Sequence, residues 1–259
     1  MKRITQLKNE ALDALHGNFA KAALATLGVF IVSIAFSVVI QLISGTNILD
    51  YYEALFTNDT AALMEAMGGN IYVTILQILG GILFTMPLVI GVYNSFRVLF
   101  ESKGSDNAIF RNFFKLAFSK HYLHIVLVYL CAGILVALIL IPAIIILVLV
   151  GLVLQSIIVA VILTVVALVY CIWIGLMYSQ ISFILVDNPE LDIIDTMRRS
   201  RTLMKGNKWR FLLLDLSFIG WILLGILTLG IGYLWLLPYI HTTVSAFYCE
   251  IRDAEKTAE

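Results

Sequence analysis

The chain has 259 residues, of which 61% are hydrophobic and 13% charged, with 17 Lys and Arg against 17 Asp and Glu. Such a composition is more apolar than the surface of a water-soluble domain can carry, and zero formal net charge excludes the global positive field that draws proteins to nucleic acid. The three cysteines, Cys131, Cys171 and Cys249, lie in or beside apolar segments without metal-type spacing, and read as small buried hydrophobes.

An amphipathic helix is predicted first, because Ile4, Leu7, Ala11, Ala14 and Leu15 recur at helical spacing opposite Lys8, Glu10 and Asp13. The first apolar segment, Ala22 to Ile43, is long enough to be an uncleaved membrane anchor rather than a signal peptide. An acidic loop with Asp50, Glu53, Asp59 and Glu65 leads to a second apolar segment, Ile71 to Phe96, and no basic residue falls between Lys21 and Arg97. The basic loop from Arg97 to Lys120 follows, where Phe110, Phe113, Phe114, Ala117 and Phe118 offer one apolar helix face. The apolar run from Ile125 to Ile184 is too long for one span. Gly151 is the place where the chain leaves helical geometry cheaply, which predicts spans from Ile125 to Val148 and from Leu152 to Ile184.

A second amphipathic helix is predicted after that run, with Asn188 as its cap and Pro189 at the first helical position. Glu190, Asp192 and Asp195 then occupy early turns and Arg198, Arg199, Arg201 and Lys205 later ones, before Gly206; this order complements the helix dipole. The last apolar region divides at Gly230 and Gly232 into Phe211 to Leu229 and Ile231 to Ile251. Pro87, Pro142 and Pro238 interrupt three of the segments, and proline in a membrane helix mainly kinks it.

Six segments thus approach the ~20 residues that cross about 30 Å of hydrocarbon. Basic loops stay on the cytoplasmic side, so both termini are expected inside, with Tyr51, Tyr52, Tyr72, Tyr233 and Trp235 near the outer interface and Tyr122, Trp209 and Tyr248 near the inner one. A repeat supports this plan. LHGNFAKAALATL (15–27) and MKGNKWRFLLLDL (204–216) share Gly-Asn followed three residues later by a base, before an apolar span. The stretch entering the third span, FSKHYLHIVLVYL, is a weaker copy, for which common origin and chance similarity of apolar segments weigh equally. The expected fold is all-α: a polytopic helical membrane protein with six transmembrane helices as three hairpins, each preceded by an amphipathic inner-surface helix, N-in/C-in. It forms a single membrane domain with units 1–96, 97–186 and 187–259.

The block MRRSRTLMKGNKWRFLLLDLSFIGWILLGILTLGIGYLWLLPY (197–239), with LKNEALDALHGN (7–18), ILVDNPE (184–190) and FYCEI (247–251), resembles the bacterial integral membrane family catalogued as domain of unknown function 975. That resemblance covers both ends and most of the chain, departs around IPAII (141–145), where Ala143 stands in place of an expected glycine, and brings no established activity. It implies a multi-pass protein of the bacterial cytoplasmic (inner) membrane. The pattern of surface helix and hairpin is also similar to the membrane domains attached to some glycerophosphodiester phosphodiesterases, although no catalytic domain is present here.

The candidate chemistry is sparse. Asp215 sits four residues inside an apolar edge, where an ionisable group is by default a functional hypothesis; a carboxylate so near the interface is equally a cap or an anchor to a neighbouring helix. Asn94, Gln180 and His241 lie near it in the predicted bundle and either line a polar cavity or bond between helices. His121 and His124 have no acidic or cysteine partner at ligand spacing, so no metal is expected, and no phosphate loop, catalytic triad or carboxylate pair points to an enzyme or a cofactor. The basic cluster Arg198, Arg199, Arg201, Lys205, Lys208 and Arg210 is the strongest binding signal. Juxtamembrane bases gain about 1 kcal/mol each from an anionic leaflet, and the same charges serve to hold topology. The expected partners are anionic lipid headgroups at the cytoplasmic face and a protein partner or second copy, with no nucleic acid. The runner-up reading is a small transporter or channel built around Asp215, Asn94 and His241.

Overall fold

The computed structural model describes residues 2–44, 53, 56–57, 71–105, 109, 111–113, 121–154 and 157–257, and among them all regular structure is helical. The helices are α1 (Ile4–Leu15), α2 (Phe19–Ser44), α3 (Ile71–Gly80), α4 (Met86–Glu101), α5 (Tyr122–Leu154), α6 (Ile157–Tyr178), α7 (Ile181–Asp187), α8 (Ile193–Leu203), α9 (Lys208–Leu216), α10 (Ile219–Leu227) and α11 (Tyr233–Lys256). A π-helical turn, Gly81–Thr85, joins α3 to α4. Its cause is in the sequence. Proline at 87 cannot donate to the carbonyl of Leu83, so the ladder widens by one residue just before it, and the freed Leu83 carbonyl accepts the hydroxyl of Tyr122 instead.

Five segments are long and apolar enough to cross a membrane: Phe19–Ile43, Val73–Glu101, Tyr122–Pro142, Val161–Asp187 and Lys208–Leu227. α11, the sixth in the predicted plan, is not among them. It is the hub of the bundle, packed against α1, α2 and α4, and its Thr242, Thr243 and Ser245 are buried. Their hydroxyls donate to the carbonyls of Pro238, Tyr239 and His241, each at 2.8 Å. A helix walled by protein needs no apolar surface for lipid, provided its polar groups are satisfied internally.

α1 buries the predicted face, Leu7, Ala11, Ala14 and Leu15, against α11 and α4. The two Gly-Asn copies adopt one conformation. Gly17 and Gly206 have φ of 77° and 84°, and the next helix starts two residues later in both, with Asn18 and Asn207 accepting its first backbone bonds from Ala22 and Phe211. The charged termini of the helices gather at one end. The Asn18 amide donates to the Gly104 carbonyl at 3.0 Å, His124 Nε2 lies 2.8 Å from the Leu191 carbonyl, and Arg210 at the start of α9 meets Glu250 near the end of α11 at 2.6 Å.

Several expectations need correction. Gly151 is helical, inside α5, which runs to Leu154, and α6 is described from Ile157; a single glycine amid Leu and Val costs only about 1 kcal/mol in a helix. Asn188 closes α7 rather than opening α8. Its N–H bonds the Ile184 carbonyl at 2.8 Å, and Asp192, in extended conformation, precedes the first turn of α8. The fourth apolar segment stops at Tyr178 and restarts as α7, and the fifth is two helices broken at Ser217 and Phe218. Tyr51, Tyr52, the side chain of Tyr72, and the face formed by Phe110, Phe114, Ala117 and Phe118 lie outside the described residues.

Candidate functional site

α8 is short and its interior positions are mostly polar, so its place is set by anchoring rather than by a broad apolar stripe. Thr196, Met197, Ser200 and Leu203 are buried, and the Ser200 hydroxyl donates to the Met177 carbonyl at the end of α6, at 3.0 Å. That contact turns the opposite face of α8 outward beside α6. The result is a cleft of about 480 Å³ lined by Met177, Arg198, Arg201, Thr202, Lys205 and Lys208. Lys208 places its ammonium 4.0 Å over the ring of Trp173, a favourable cation–π contact.

The six predicted bases therefore divide. Four converge on the cleft. Arg199 turns toward Glu255 at 3.9 Å, and Arg210 binds Glu250 and the Lys2 carbonyl, which ties the chain's N-terminus to α9 and α11. Within the cleft, among the described residues, only Arg198 meets a carboxylate, Asp195 at 3.4 Å, with both side chains more than half exposed; such a pair is worth about 0–1 kcal/mol.

A second charged constellation was not predicted from the sequence. Asp187, the last residue of α7, accepts from Arg97 at 2.6 Å, from Arg252 at 3.2 Å and from the Tyr248 hydroxyl at 2.6 Å. Glu101 completes it, bonded to Arg97 at 3.2 Å and Arg252 at 2.8 Å. Burial works against the Arg252 charge, but its bonds to Glu101 and Asp187 outweigh it and raise the guanidinium pKa above its ordinary value. Its sequence signal was present in two landmarks, ILVDNPE and FYCEI, each of which ends an apolar segment in charge. This junction pins the ends of α4, α7 and α11 together, with its charges mutually paired as in a structural clamp; on one side Glu101 and Arg252 also border a cleft of about 540 Å³.

The four candidate polar residues of the spans do not form one cavity. Asn94 donates to the Asn112 carbonyl at 2.7 Å, and Gln180 donates to Ser179 at 2.9 Å. His241 stacks on Phe96 at 5.7 Å and meets the edge of Tyr93 at 5.4 Å. No hydrogen bond joins any two of them. Asp215 lies on the exposed side of α9, within electrostatic range of Tyr93, and forms no ion pair or side-chain hydrogen bond among the described residues. Two residues on, the chain breaks, and Lys8 of α1 supplies what the break needs: its ammonium donates to the Ser217 carbonyl at 3.0 Å and lies 4.0 Å over the Phe218 ring. Burial there lowers the Lys8 pKa.

Among the described residues, no group of three or more His, Cys, Asp or Glu has metal-binding geometry. No curated protein and no solved structure matches the chain. A family model described as "Protein of unknown function (DUF975)" matches residues 1–255, taking in the Gly-Asn repeats, the Asp187 junction and the basic cleft alike, and the chain belongs to that family.

Proposed function

We propose that the protein is a non-enzymatic module of the bacterial cytoplasmic membrane that holds anionic lipid at its cytoplasmic face. In this reading six helices cross the bilayer as three hairpins, N-in/C-in, with α11 as a sixth span shielded by its neighbours. The bond between Arg210 and Glu250 supports the return of α11 to the side where α9 begins. The observation that carries the function is the convergence of Arg198, Arg201, Lys205 and Lys208 on one cleft. Bases retained only to orient the chain have no need to face one another, whereas a headgroup site requires it. Leu7, Ala11, Ala14 and Leu15 of α1 and Met197 and Leu203 of α8 are covered by protein, so in this reading lipid meets chiefly the charged faces of these helices.

The test is lipid retention. Replacing Arg198, Arg201 and Lys205 by Gln is expected to reduce co-purifying acidic lipid by about tenfold or more, with membrane insertion and melting temperature unchanged. Retention at the wild-type level would leave the cluster as a topology device.

Orientation has its own test. In a cysteine-free background, a cysteine at Thr57 is expected to react with an impermeant thiol reagent outside intact cells, and one at Ser105 only after permeabilisation. The loop of Thr57 has four acids and no base, while Ser105 lies between Arg97 and Arg111. Reversed labelling would overturn the orientation.

A second reading, a small transporter, draws on the break in the fifth span beside Asp215, since discontinuous helices bind ions and substrates in transporters. Native mass spectrometry of the gently extracted protein separates the two: bound lipid supports the first, a bound small solute the second.

A further inference from the structure

The basic cleft holds more charge than one phosphodiester neutralises. Arg198 shares Asp195, but Arg201 and Lys205 meet no carboxylate among the described residues, and Lys208 faces the neutral Trp173 ring. Three positive charges are thus left for a ligand. They are also spread out. Arg198 and Arg201 occupy successive turns of α8, about 5 Å apart along its axis, while Lys205 and Lys208 follow beyond its end, so the bases are strung along the cleft and offer more than one anchoring position for phosphate. The cleft, about 480 Å³, lies in the range of about 300–1,000 Å³ that accommodates whole small-molecule ligands.

Resting on the lipid-binding reading above, we infer that the cleft takes a lipid whose headgroup carries two phosphate charges, in preference to one with a single phosphodiester. A soluble diphosphate would satisfy the same cations. The surroundings favour the lipid: Met177 forms one wall, Trp173 one turn deeper on α6 is 54% exposed, and Ile172, Val169 and Val165 extend that exposed apolar surface away from the cleft. Acyl chains of a lipid seated in the cleft have this face to lie against; a soluble anion gains nothing from it.

The experiment is a native mass spectrometry titration of the full-length protein in micelles, with diphosphatidylglycerol and phosphatidylglycerol competing at equal concentration. The wild type is expected to bind diphosphatidylglycerol about tenfold more tightly. In Arg201→Gln/Lys205→Gln the ratio should fall to about two, the statistical factor when the two phosphates no longer engage together. Lys103→Gln, which removes one charge outside the cleft, should keep the wild-type ratio, as should Arg201→Lys. A wild-type ratio near two overturns the two-phosphate inference even if both lipids bind and both are lost in the variants, an outcome that leaves anionic-lipid binding standing. Inorganic pyrophosphate binding as tightly as diphosphatidylglycerol, with displacement of the lipid, overturns the lipid as ligand. Because the wild-type ratio is itself decisive, the inference stays testable if the double variant fails to fold.

Discussion

Asp187→Ala is expected to lower stability by about 3 kcal/mol or more, whereas Asp253→Ala, which deprives the same Arg252 of a partner, is expected to cost less than about 0.5 kcal/mol. The distances do not predict this difference, since Arg252 lies 3.2 Å from Asp187 and 3.0 Å from Asp253. Burial does. The Asp187 side chain is 13% exposed, as against 62% for Asp253. Removing one member of a buried pair leaves desolvated charge without compensation, typically about 3–5 kcal/mol, while an exposed pair is worth about 0–1 kcal/mol. Asp187 also holds Arg97, which is 16% exposed, and the Tyr248 hydroxyl, so its loss withdraws an acceptor from three donors on two helices at once and leaves both arginines to Glu101. Its position explains the need for them, because a carboxylate at a helix C-terminus is disfavoured by the dipole and requires nearby cations. Thermal melts of the detergent-solubilised variants provide the measurement. Equal losses for the two substitutions would show that the junction is not the clamp described here.

This junction also marks where sequence reasoning stops. Periodicity revealed α1 with its buried face, because Leu7, Ala11, Ala14 and Leu15 lie at helical intervals whatever they pack against. Hydropathy revealed the apolar segments, and the Gly-Asn copies showed that two distant parts of the chain begin their helices in the same way. Pairings across more than 60 residues, such as Asp187 with Arg252, have no local period, and nothing in the spacing of charges says which base meets which acid. Breaks were the other blind spot. Ser217 and Phe218 are ordinary helix residues, and the interruption there is completed by Lys8, over 200 positions away in sequence. The same limit affected the basic cluster: its charge was legible as a run, but which of Arg198, Arg199 and Arg201 face the cleft depends on the rotation of α8, anchored by a hydrogen bond from Ser200 to Met177, and the turn of Arg210 toward Glu250 depends on a contact across 40 residues.

Gly104→Ala is expected to destabilise the protein by about 2–5 kcal/mol, with the loss centred on the docking of α1. The position follows α4 with φ of 78°, a left-handed conformation that costs a residue with a Cβ about 1–2 kcal/mol. A Cβ there would also lie 2.7 Å from the backbone oxygen of Ala14, near the end of α1, and a backbone atom cannot rotate aside as a side chain can. The overlap adds about 1–3 kcal/mol, as overpacking does in well-packed interiors, and it strains the bond from the Asn18 amide to the Gly104 carbonyl. Gly206→Ala provides the comparison. Its φ of 84° imposes the same conformational cost, but a Cβ at that position meets nothing within 4 Å, so the expected loss is about 1–2 kcal/mol only. Hydrogen exchange separates the two effects by location: in Gly104→Ala the amides of α1 should lose protection first, since the clash pushes α1 away from α4 and α11, while in Gly206→Ala they should keep it. If the two variants lose the same stability, with α1 equally protected in both, then the close approach of Gly104 to Ala14 does not hold α1 in place.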